Sequence, residues 1–314
     1  MTSSYFVRLL LLSSASFFLV QMVVAAMVSL FAPVAIRRAE SIRPQRAARF
    51  LLTLRLSPAG VAIIFVAALC VPSYFRFEPD AGKEVAGMAC LAAAMFGAAL
   101  CGLAAWRSLG ALIRSSLYLR QCGGRESVVG GEKVWIVRDC AGLALAGIVR
   151  PRLLVSERAA ADLSCEELAV ALRHEHAHRA SGDNLKRLLI LMAPALFPGL
   201  RTIEKAWERC AEWAADDWAA EGDAERRAAL AAALVLVAQL QPGMRMPALA
   251  TSLVDANDDL SLRVERLLTG AATCEARRRE GVALAAASLI VIAGIVLNAG
   301  SLRMVHSLLE RLLD

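Results

Sequence analysis

Four segments of the chain run for twenty residues or more without a charged side chain: Leu9–Ile36, Leu56–Phe75, Val85–Trp106 and Gly281–Leu302. At 1.5 Å per residue, about twenty apolar residues cross a hydrocarbon core of ~30 Å. Lipid offers the backbone no hydrogen-bonding partner, so a stretch of this kind crosses as a helix. Each is read as a transmembrane helix. A secretory leader also opens with a basic residue before a Leu-rich run, as at Arg8. The first stretch is 28 residues long, however, against roughly 7–15 for a leader's apolar region, and it is read as a retained span. Composition agrees: 58% of residues are hydrophobic and 20% charged, against roughly 45–50% and about 25% in soluble domains.

The charges between the stretches orient them. Arg37, Arg38, Arg43, Arg46, Arg49 and Arg55 meet the single acid Glu40 in the first loop, whereas the second holds Arg76 and Lys83 beside Glu78, Asp80 and Glu84. Arg107, Arg114, Arg120 and Arg125 follow the third stretch, and Arg277, Arg278 and Arg279 precede the fourth. Basic loops stay in the cytoplasm, which places the first loop and the segment from Arg107 to Glu280 there. Three parts result: residues 1–120 with three transmembrane helices (about 9–36, 56–75 and 85–106), a cytoplasmic domain at 121–280, and residues 281–314 with the fourth helix and a short outer tail. Orientation accounts for the net charge of +6, and no nucleic-acid-binding motif accompanies it. The absence of charged residues from all four stretches argues against an ion path. The eight cysteines form no C-x-x-C pair, so reduced thiols are expected.

The cytoplasmic segment reads as α+β. Lys133–Val137 and Arg152–Val155 are short β-branched or apolar runs, separated by the Gly-containing segment Ala141–Ile148 and Pro151, as strands are. Ser164 followed by Glu167 is a capping box before a helix over Leu168–Arg179. Asp183 is read as the cap of the next helix, and Ala206–Ala220, Ala228–Leu240 and Leu260–Leu268 as further helices. Leu188–Leu200 is short for a span and is interrupted by Pro194 and Pro198. It is read as a buried core helix, the alternative being a segment that dips into the inner leaflet. The expected architecture is a mainly α membrane protein carrying a small sheet packed on a mainly helical domain.

Within the capped helix lies His174-Glu175-His176-Ala177-His178. His174 and His178, at i and i+4, project from one face a turn apart, which suits two nitrogen ligands of a tetrahedral Zn²⁺. Glu175 is placed as general base: the H-E-x-x-H pattern is two zinc ligands plus a base. Three of the chain's four histidines fall within these five residues, which separates the pattern from a merely solvated helix face. His176, at i+2, points away and is read as an outer residue; His306 is read as unrelated. A catalytic zinc takes three protein ligands and keeps an open position, so a carboxylate must complete the set. Glu208, Glu212 and Asp217 are all available, and spacing does not choose among them. Glu212 and Asp216, at i and i+4, share a face, so one could bind metal while the other orients an imidazole.

The ordered pieces Gly147–Ser156, Leu163–Leu168, His174–His178 and Asp183–Leu185 resemble the membrane antirepressor metallopeptidases of the BlaR/MecR type, relatives of the HtpX and CAAX-prenyl-protease group. The resemblance covers the cytoplasmic segment and the arrangement of three spans before it and one after. It implies four transmembrane helices with a gluzincin-like zinc metallopeptidase domain between the third and fourth, in a bacterial inner membrane. It also implies endoproteolysis of a protein or peptide substrate, a transcriptional repressor and a membrane protein being the candidates, and leaves a homo-oligomer open. The family's metal ligands fall on His174, His178 and Glu212, its base on Glu175 and its outer, imidazole-orienting Asp on Asp216. The best-known members carry an extracellular penicillin-binding sensor domain after the fourth span. Only Arg303–Asp314 follows here, so β-lactam sensing is not carried over.

The expected function is that of a membrane-embedded zinc endopeptidase cleaving a protein at the cytoplasmic side in regulatory or signalling proteolysis. The alternative is a non-catalytic membrane sensor or scaffold that retains zinc. Glu175 weighs against it, because a structural zinc site is closed by a fourth ligand and needs no base. One finer expectation follows: the strand around Leu153–Val155 captures substrate as an added strand; no oxyanion-stabilising residue is identified, Arg263 being only a candidate.

Overall fold

The computed structural model describes residues 3–77, 87–129, 131–138, 142–148, 151–240, 249–253 and 260–270. The stretch read as the fourth span, Gly281–Leu302, lies outside the described residues, as do Cys274, Arg277–Arg279 and His306. Three long helical segments come first: α1 (Ser3–Glu40), α2 (Pro44–Phe65) running through a π turn at Val66–Cys70 into α3 (Val71–Phe77), and α4 (Met88–Gln121). Tyr5–Glu40, Pro44–Phe77 and Met88–Gln121 are each long and apolar enough to cross a membrane. The charge-free windows locate these helices but understate them, since α2 begins at Pro44, well before Leu56, and α4 continues from Trp106 to Gln121. Charge marks where lipid ends, not where helical hydrogen bonding ends, and the Ala, Leu and Arg beyond the windows are good helix formers. Pro44 occupies the first turn of α2, where its missing N–H costs nothing.

The sheet comprises β1 (Arg125–Val129), β2 (Glu132–Val137), β3 (Leu143–Ala146), β4 (Arg152–Ser156) and β5 (Ala250–Ser252), in the order β1-β2-β4-β3-β5. Only β2 and β4 are parallel. Strand β3 occupies the segment read as a separator: Leu-Ala-Leu-Ala lacks β-branched residues, yet all four are buried, so packing rather than propensity makes it a strand. The expected capture of substrate along Leu153–Val155 is corrected. Strand β4 is interior, bonded to β2 on one side and to β3 on the other, which leaves no free edge for a peptide.

The helices are α5 (Glu157–Asp162), α6 (Cys165–Ser181), α7 (Asp183–Met192), α8 (Pro198–Ala220), α9 (Ala224–Leu240) and α10 (Leu260–Thr269). The capping box forms: Glu167 N donates to Ser164 Oγ (3.3 Å) and Ser164 N to Glu167 Oε2 (2.8 Å). Helix α6 ends at Gly182, left-handed with φ 69°, a conformation glycine adopts without a Cβ penalty. Asp183 is not the cap of α7, a position Gly182 takes; its carboxylate is engaged elsewhere. The run Leu188–Leu200 is not one helix. It divides into the end of α7, a turn, and the start of α8 at Pro198, with Ile190 and Leu200 buried and Leu189 and Met192 exposed. At the start of α8, Gly199 N donates to Ser29 Oγ of α1 (3.0 Å).

Two apolar cores hold the helices that matter for chemistry. Under the sheet, Leu145 and Val155 pack with Leu168 and Leu172 of α6 and Leu230 and Leu234 of α9. The second joins Val28 and Ala32 of α1 and Leu51 of α2 to Leu200, Ile203, Trp207 and Cys210 of α8. Helix α8 thus belongs to both the membrane helices and the domain, and packing is continuous across the boundary drawn at residue 120.

Candidate metal centre

Helices α6 and α8 pack together and bring the histidines of one against the carboxylates of the other. His174 Nε2 and His178 Nε2 lie 3.1 Å apart. Glu212 Oε2 is 3.4 Å from His174 Nε2, and its Oε1 is 3.5 Å from His178 Nε2. A tetrahedral ion with bonds of 2.0–2.1 Å sets its ligand atoms about 3.3 Å apart, so the triangle has the dimensions of three zinc ligands. All three side chains are buried.

The far nitrogens face carboxylates, that of His178 in a hydrogen bond. His174 Nδ1 lies 2.9 Å from Asp216 Oδ1, and His178 Nδ1 lies 2.7 Å from Asp183 Oδ2. Partners on Nδ1 fix the tautomer and turn Nε2 toward the centre. Arg263 clamps Asp216 from behind in a fork: Nε donates to Oδ2 (3.0 Å) and Nη2 to Oδ1 (2.7 Å), while Nη1 donates to the Leu253 carbonyl (2.9 Å). Its Nη1 also stands 3.3 Å from Glu212 Oε2. The candidacy of Arg263 for stabilising an oxyanion therefore lapses: its donors are taken up by protein oxygens.

The electrostatics follow from this packing. Burial disfavours every charge here, yet the mutual attraction of acids and imidazoles overrides it. His174 is raised by Asp216 and Glu212 against burial, and His178 is raised against burial to about 10 by Glu212 and Asp183. Glu212 is held well below the usual carboxylate range by both imidazoles, and Asp216 is held down to about 2, chiefly by Arg263. Glu175 is the exception, its carboxyl raised by burial against the pull of the imidazoles. Both its oxygens, and Glu212 Oε2, are buried without a hydrogen-bond partner among the described residues. Orphaned acceptors beside two imidazole nitrogens are what a cation and its water would satisfy.

The structure separates the three carboxylates that spacing left open. Glu212 meets the imidazoles; Asp217 pairs with Arg266 (2.6 Å); Glu208, one turn before Glu212, lines a pocket that does not include the imidazoles. His176 points outward as expected, its Nδ1 3.0 Å from Glu132 Oε1 and its ring stacked on Trp218 at 5.6 Å. Asp183 and the clamp by Arg263 were missed in sequence. A pointer to Asp183 was present, since Gly182 ends α6 and returns the next residue toward its last turn.

The family model described as BlaR1 peptidase M56 matches residues 88–267, more than half of the chain. The chain belongs to this family. The match runs from the start of α4 into α10 and so takes in both helices of the centre and Arg263. No curated protein matches the chain. As an M56 peptidase with three apolar helices, the protein is a membrane-associated metallopeptidase, and His174, His178 and Glu212 form a group able to hold its metal.

Proposed function

We propose that this M56 peptidase is a zinc endopeptidase that cleaves a protein substrate at the cytoplasmic face of a bacterial inner membrane. Its ligands are His174, His178 and Glu212, its general base is Glu175, and Asp216 and Asp183 orient the imidazoles. Two imidazoles and one carboxylate are the donor set of a catalytic zinc. A Zn²⁺ bound there supplies Lewis acidity, polarising a peptide carbonyl and acidifying water. Glu175 accepts a proton from the attacking water and delivers it to the leaving amine, a contribution of typically 10²–10⁴-fold. Burial assists by bringing its carboxyl closer to the working pH.

The observation that carries this reading is Glu175 itself, fully buried with neither oxygen bonded among the described residues. A site built for folding alone has no use for such an acid. The domain proposed at 121–280 sits between the third span and a fourth at Gly281–Leu302, with residues 1–120 forming the membrane region. Since β4 is interior, capture of a peptide by strand addition falls to an edge, and β5 is the edge that borders α6 and α7. The test compares, by mass spectrometry, protein fragments in cells carrying the wild type and Glu175→Gln. Fragments present only with the wild type are expected; identical sets contradict the assignment.

A further inference from the structure

A second polar site lies along α8 from the metal centre, one to three turns nearer the start of the helix. It is a pocket of about 280 Å³ between α2, α4 and the α7–α8 turn, near the lower end of the ~300–1,000 Å³ typical of small-molecule sites. Arg55, Arg107, Arg201 and Lys205 line it, against Glu204 and Glu208. Arg55 is buried and donates through Nε and Nη2 to Glu204 Oε2 (3.1 and 3.0 Å), so Glu204 is already committed. Arg107, Arg201 and Lys205 have no hydrogen bond or ion pair among the described residues. Leu191 and Pro194 supply an apolar wall.

The position of the pocket relative to the membrane is set by the sequence. Arg55 is the last charge before the apolar stretch Leu56–Phe75, and Arg107 the first after Val85–Trp106. One pocket lined by both therefore lies where hydrocarbon gives way to headgroups. The neighbouring Gly199–Ser29 bond agrees. From Leu9 to Ser29 is about twenty residues, enough to cross ~30 Å. Arg55 and Ser29 stand at matching distances from the turn of the α1–α2 hairpin and both contact the start of α8. Helix α7, which supplies part of that wall, also exposes an apolar face of Leu185, Leu189 and Met192, as expected of a surface resting on lipid.

We infer that this pocket seats the phosphate-bearing headgroup of an anionic phospholipid from the leaflet on the metal-centre side. Basic pockets between membrane helices at headgroup level have this use. The surplus of cations over acids selects an anion, guanidinium forks match phosphate geometry, and the apolar wall accommodates the start of the acyl chains. Free phosphate shares the anionic chemistry but leaves that wall unused.

The test measures lipid retained by the full-length chain by native mass spectrometry, after reconstitution in vesicles of phosphatidylcholine and phosphatidylglycerol. The wild type is expected to retain phosphatidylglycerol preferentially, and Arg107→Gln with Arg201→Gln to lower that preference about 30-fold. Both residues are exposed and unpaired, so folding should survive, and Arg107→Lys with Arg201→Lys, which keeps the charge but loses the fork, should restore the preference in part. Arg37→Gln with Arg38→Gln removes equal charge more than two turns beyond the pocket level and is expected to change little, being more than about a Debye length away. No preference in the wild type, or equal loss in both glutamine variants, overturns the proposal. Displacement of the lipid by millimolar inorganic phosphate also overturns it, assigning the site to a soluble anion instead.

Discussion

An imidazole whose Nδ1 faces a carboxylate has only Nε2 left to offer, and both histidines of this centre are in that state. Asp183→Asn and Asp216→Asn are each expected to weaken zinc binding by about 10–100-fold while leaving saturation at the same stoichiometry, as read by titration against a chelating dye. Unchanged affinity in both would detach these carboxylates from the centre. The raised imidazoles set the pH dependence. His178 rises from 6.5 to about 10 in the metal-free fold, so its proton adds stability that is complete below the unfolded value and lost as pH climbs through 10. Metal must displace that proton. Zinc affinity is therefore expected to rise from pH 6 to pH 8, with proton release seen by calorimetry in buffers of different ionisation enthalpy; a flat profile contradicts the picture. The pair His174 and His178 was legible because helical spacing fixes a shared face. Glu212 was one of three carboxylates, because spacing orders residues on α8 without saying which side and which turn of α8 meet α6. Asp216 and Arg263, 47 residues apart, meet only through the packing of α10 on the domain.

At the scale of elements, α8 joins membrane and site. Gly199 allows its start to approach α1: a Cβ there would lie 2.5 Å from the Ser29 carbonyl oxygen and 2.7 Å from its Cα. These are backbone atoms and cannot rotate away. Gly199→Ala is expected to destabilise the protein by about 1–3 kcal/mol, the usual cost of overpacking, seen as a lower Tm in detergent; an unchanged Tm would mean that α1 and α8 are not tightly docked. The helices other than α5 were legible as apolar windows or periodic runs, but their ends were not. Strand β3 was missed because Leu-Ala-Leu-Ala has no β-branched residue, and β1 because Arg-Glu-Ser is polar enough for an exposed edge.

For the molecule as a whole, the sign of the loops is the ground on which the domain is proposed to be cytoplasmic. Cys165, exposed at the start of α6, reports on that assignment. A membrane-impermeant maleimide, with the site of labelling read by mass spectrometry, is expected to modify Cys165 in inverted vesicles and not in intact spheroplasts. Labelling from outside would reverse the orientation. The most direct measurement of the central claim is metal content in purified full-length protein, compared with a variant carrying His174→Ala and His178→Ala. The account predicts one equivalent of zinc in the wild type and none in the variant; a full equivalent retained by the variant would contradict it.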